Sequence, residues 1–112
     1  MKNEYLLGRY DELVGNKVPN SIKKDGKTSV THIASDGEYW LKLKGKLKEG
    51  PDEIFGSDNV IEMTEKLAQI SQTLKAIAEF AGIDERQIEN ARELIEARDG
   101  SFSKRIILER VD

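Results

Sequence analysis

No cysteine occurs among the 112 residues, which excludes disulfides, thiolate metal sites and cysteine nucleophiles together. Stability must therefore come from packing. A single histidine, His32, excludes a histidine-based metal cluster or catalytic triad; in a short β-branched run it reads as structural. Neither sign of charge dominates. Eighteen basic residues against 21 acidic give a net charge of -3, too little to gather nucleic acid or anionic lipid, so neither DNA nor RNA is expected as a partner. No run approaches the roughly 20 apolar residues of a membrane span, and the trio Tyr5, Leu6 and Leu7 is too short for a signal peptide. A cytoplasmic protein without a membrane association is expected, of cellular or viral origin alike.

What the chain does have is a regular apolar stripe. Val60, Met63, Leu67, Ile70, Leu74, Ile77 and Ala81 recur at alternating spacings of three and four, the signature of one seam along a long helix. Such a seam must be covered, and the remaining segments read as its cover. Gly82 suits the position just past the helix end, and the cluster Gly56, Ser57 and Asp58 suits its beginning. Ser35 with Glu38 forms a capping-box pair opening a helix whose apolar face is Trp40, Leu43 and Leu47. Gly45 weakens that helix, and Gly50 with Pro51 should kink or end it. Asp84 with Gln87 repeats the capping logic before Ile88, Ala91, Leu94 and Ile95, a last helix reaching about Arg98. Pro19 opens a helix of one or two turns that Asp25 and Gly26 stop.

Two runs favour strands, 27–33 with Thr28, Val30, Thr31 and Ile33, and 102–111 with Ile106, Ile107, Leu108 and Val111. Pairing with each other is their most economical arrangement. The expectation is a single domain over 1–112, with 1–9 as a lead-in: a mainly α, antiparallel helical bundle with a small two-stranded β ribbon.

The run Tyr10-Asp11-Glu12-Leu13-Val14-Gly15-Asn16-Lys17-Val18-Pro19 resembles the Y-N-K-L-V-R-D-K-I-P opening of small MazG-like proteins related to phosphoribosyl-ATP pyrophosphohydrolase. Lys24-Asp25-Gly26-Lys27, Ser35-Asp36-Gly37-Glu38-Tyr39 and Lys46-Leu47 follow in that family's order. Glu65-Lys66-Leu67-Ala68-Gln69 is similar to its E-E-L-A-D, and Gly100-Ser101-Phe102-Ser103-Lys104-Arg105-Ile106 to its closing G-G-F-x-K-R-I. The resemblance covers about 10–109 and implies the all-α nucleoside triphosphate pyrophosphohydrolase fold, usually a dimer or a dimer of dimers.

That family's chemistry needs two i,i+3 carboxylate pairs on antiparallel helices, four hard oxygen ligands around magnesium. Carried over by position, the resemblance puts the first pair on Gly50 and Glu53 and the second on Lys66 and Gln69. Only Glu53 is acidic. The opening motif has Gly15 and Asn16 in place of arginine and aspartate, and Asp99 stands where arginine is usual. The expectation is therefore a pseudoenzyme: a fold kept without its reaction, with no cofactor, serving as a binding, assembly or regulatory module for a second copy, a protein partner or a nucleotide.

The alternative is a divergent magnesium-dependent enzyme with a displaced site drawing on Glu49, Asp52, Glu53 and Glu62. Against it, Gly50 and Pro51 interrupt the spacing of Glu49 and Asp52, and Glu65, the partner of Glu62 in an i,i+3 pair, should face solvent. Lys66 has Glu62 one turn before it as a favourable i,i+4 partner; it is expected to project into water, the sharper alternative being that it reaches Glu53 across the bundle in place of the missing cation. Lys17, Lys104 and Arg105 match basic family positions and are candidates for holding an anion.

Overall fold

The structure, a computed structural model, describes residues 5–112, so the first four residues of the lead-in lie outside it. Four helices follow in order: α1 over Val18–Lys24, α2 over Asp36–Phe55, α3 over Val60–Phe80 and α4 over Glu85–Asp99. The chain is mainly α and divides into two compact units, one running to Leu74 and the other spanning Lys75–Asp112.

Local chemistry sets the helix ends. Ser35 Oγ accepts the backbone N–H of Glu38 at 3.3 Å, satisfying one of the donors a helix start leaves open. The Glu38 carboxylate turns to His32 Nε2 at 2.8 Å. At the head of α3 it is Asn59, rather than the three residues before it, whose side chain accepts from Ile61 N at 2.8 Å. The tail of α3 closes in a Schellman arrangement. Ile83 N donates to Ala78 O at 2.8 Å and Gly82 N to Glu79 O at 3.2 Å, with Gly82 at φ 75°, a conformation cheap only for glycine. Asp84 and Gln87 form the full reciprocal capping box of α4.

In the first unit, α2 and α3 run antiparallel. A Cβ on Gly50 would lie 2.7 Å from Ile70 Cγ1, and Glu53 meets Lys66 at 3.2 Å. Three residues forward on α2 thus correspond to four backward on α3. Leu43 is the most deeply buried side chain, 2% exposed, with Trp40 and Leu47 half-buried on its flanks.

Three expectations are corrected. First, α2 does not end at Gly50 and Pro51 but continues to Phe55 with Pro51 inside it. The missing backbone donor costs about 3 kcal/mol in a free helix, but contacts to α3 on both sides of the proline, at Gly50 and Glu53, hold the axis. Second, no strand is present among the described residues: 27–33 carries no regular structure, 102–111 holds only a bend and turn at 102–104, and Val30 and Ile33 are 99% and 97% exposed. A lone two-stranded ribbon buries too little to hold together in water. Third, the α3 stripe does not serve one surface. Met63, Ile70 and Ile77 are half-buried, whereas Val60, Leu67 and Leu74 are exposed. At about 100° per residue the two heptad rows lie roughly 60° apart, and within the first unit α2 meets the half-buried row at Ile70.

Candidate functional site

The four positions that the MazG-like resemblance singles out come from facing stretches of α2 and α3, and the helix pairing brings three of them together. Each holds a residue with a structural occupation. Gly50 is the point of closest approach: a Cβ there would meet Ile70 Cγ1 at 2.7 Å and Ile70 Cδ1 at 3.0 Å, so the Ile70 side chain fills the space a carboxylate would need. Glu53 Oε2 lies 3.2 Å from Lys66 Nζ, with the side chains 50% and 34% exposed. Gln69 is exposed, its carbonyl accepting from Thr73 Oγ1 at 3.0 Å.

These residues do not fit a magnesium ion. A hard dication needs several oxygen ligands, whereas these positions offer one carboxylate, already beside an ammonium, and an isoleucine. Among the described residues no three acidic or histidine side chains converge to hold a metal. The displaced set does not gather either. Glu62 accepts from Ser57 Oγ at 3.2 Å, and Glu49 lines a separate cleft on α2. Glu65, expected in solvent, is half-buried. Lys66, expected in water, instead meets Glu53.

That separate cleft, about 760 Å³, lies between residues 10–13 and α2. Its lysines are answered by acids of the N-terminal segment: Lys42 Nζ donates to Asp11 O at 2.7 Å and lies 3.2 Å from Asp11 Oδ2, and Lys46 Nζ is 3.6 Å from Glu12. Lys27 Nζ ties down Tyr5 O at 2.9 Å. Sequence spacing offered no signal for these three tethers, because they link residues 22 to 34 positions apart.

The candidate anion-binding residues are distributed over both units. Lys17, exposed, is the residue before α1, in the first unit. Lys104 and Arg105 are exposed in the second, Arg105 at a left-handed φ of 59°. His32 is on the surface against Glu38. Trp40 is half-buried with Lys44 Nζ 5.7 Å from its ring centroid.

No family model matches the chain, and no solved structure matches it. An uncharacterized protein of Mycolicibacterium smegmatis (strain ATCC 700084 / mc(2)155) is 38% identical to it over 47 residues. The match covers 42% of this chain and 48% of that protein, so about half of the relative's length has a counterpart here. No helix among the described residues is long and apolar enough to cross a membrane.

Proposed function

We propose that this chain is a non-catalytic member of the MazG-like, all-α nucleoside triphosphate pyrophosphohydrolase superfamily, acting in the cytoplasm as a binding, assembly or regulatory module that self-associates. The observation that carries this reading is the contact between α2 and α3. Ile70 packs on Gly50, and the Lys66 ammonium sits on the one remaining carboxylate. The cation's place is thereby taken by a side chain with a single positive charge, which can balance Glu53 but cannot bridge phosphates or activate water.

The motif resemblance over 10–109 supports the family assignment. Collinear order supports it more than any single motif does.

Incubating the full chain with magnesium and a panel of nucleoside triphosphates and diphosphates tests the reading. The expected result is no release of pyrophosphate or monophosphate. Turnover abolished by Glu53→Gln would instead establish the divergent enzyme, with its metal on Glu49, Asp52, Glu53 and Glu62. Thermal-shift measurements with the same panel separate an inert module from a nucleotide sensor, since a ligand that prefers the native state raises apparent stability.

A further inference from the structure

Charge is spread unevenly along the chain. Over 13–48 eight lysines stand against three acidic residues, a local charge of +5 within a chain of -3, and one irregular segment covers three of those lysines. Lys27 Nζ holds Tyr5 O at 2.9 Å, Lys42 Nζ lies 3.2 Å from Asp11 Oδ2, and Lys46 Nζ lies 3.6 Å from Glu12 Oε1. Residues 5–13 thus form a strap fastened through charge, two of its three tethers on α2.

The fastening is light. The Asp11 and Glu12 side chains remain 81% and 48% exposed, and ion pairs so open to water contribute little. Leu6 and Leu7 are exposed, so apolar burial adds little at that end of the strap. Asp11 has a left-handed φ of 49°, which a non-glycine residue adopts at a cost. Between residues 10–13 and α2 the cleft of about 760 Å³ stays open, and Leu41 on its α2 wall is 66% exposed.

We propose that this cleft is the docking site for a short acidic segment of a partner protein, and that the strap is its internal competitor, holding the lysines until the partner displaces it. The inference rests on the reading of the chain as a binding module and names the class of partner. The face of α2 that lines the cleft runs Glu38, Lys42, Lys46, Glu49: two ammonium groups one turn apart, about 6 Å, bounded by an acid on each side. Such a face attracts two neighbouring carboxylates, which is what Asp11 and Glu12 present, and repels a longer run of negative charge at both ends. Leu41 offers an apolar residue of the same segment a contact that a phosphate chain could not use. The partner's segment is therefore extended, with two adjacent carboxylates beside an apolar residue, as in Asp11-Glu12-Leu13 itself.

A labelled synthetic peptide copying residues 9–14 is the probe, with binding to the full chain read by fluorescence anisotropy. Freeing the lysines by Asp11→Asn with Glu12→Gln should tighten capture about 2- to 30-fold, the range for removing two exposed ion pairs that hold the site closed. The same charge change on α4, Glu93→Gln with Glu96→Gln, should leave capture at the native level. Adding Lys42→Gln and Lys46→Gln to the freed chain should abolish it, with unchanged helical circular dichroism as the check on folding. Equal capture by the native and freed chains, or capture that survives loss of both lysines, would overturn the proposal. Displacement of the peptide by tripolyphosphate at lower concentration than by unlabelled peptide would overturn it too, assigning the cleft to oligophosphates. The nucleotide assay fails separately: no capture and no turnover removes this site and leaves the non-catalytic reading standing, while capture with turnover does the reverse.

Discussion

Glu53 on α2 and Lys66 on α3 meet at 3.2 Å, with half of the glutamate side chain still in water. The pair ties the segment beyond Pro51 back to α3, so its contribution should be measurable though small. In a double-mutant cycle, Lys66→Met, Glu53→Gln and the combination should show a coupling of about 0.2–1 kcal/mol, the range for partly exposed pairs. The coupling should shrink as salt is added. Additive single effects in denaturant unfolding would mean the two groups do not act on each other.

Of the three glycines in α2, Gly45 and Gly50 make a matched pair of opposite sign. Gly45 has nothing within 4 Å of a built Cβ, so Gly45→Ala should stabilise by about 0.5–1 kcal/mol through helix propensity. Gly50→Ala gains the same propensity but drives a methyl group against Ile70. Overpacking of that kind costs about 1–3 kcal/mol, so the net change should be destabilising. Ile70→Ala in the Gly50→Ala background should recover part of the loss relative to the sum of the single effects, read from urea midpoints.

Removing the α4 cap should cost stability without disturbing the first unit. Asp84→Ala deletes the acceptor of Gln87 N, a 2.8 Å bond, and should destabilise by about 1 kcal/mol. Hydrogen exchange should rise across 85–90 and stay unchanged in α2.

The phenol of Tyr5 is held above its usual range, first by burial and then by the nearby Glu12 carboxylate and Tyr10. A raised value favours the neutral phenol in the folded state, so the associated stability is present below the ordinary tyrosine pKa and is lost as pH rises through the folded value. Glu12→Gln should move the Tyr5 transition downward in a phenolate absorbance titration. No movement would show that the Glu12 carboxylate does not contribute.

Much of the helix pattern was legible in the residues, because caps and stops act over three to five positions. Ser35 with Glu38, Asp84 with Gln87, and Gly82 after the long helix each close a hydrogen bond within their own turn, so the chain carries their outcome locally. The candidate site was legible as a list of positions. That Glu53 and Lys66 would meet depended on antiparallel packing, and Ile70 was not foreseen as the residue filling the space above Gly50.

The sequence by itself determined the starts of α2 and α4, the end of α3 at Gly82 and that α3 carries an unbroken apolar stripe, since these follow from backbone donors, side-chain caps and a period near 3.6. Only the tertiary structure decided that helix α2 survives Pro51, that the strand-like runs stay unpaired, and that half of the stripe faces out. Each of those turns on which surface lies opposite, and a linear pattern records the spacing of a face but not what covers it.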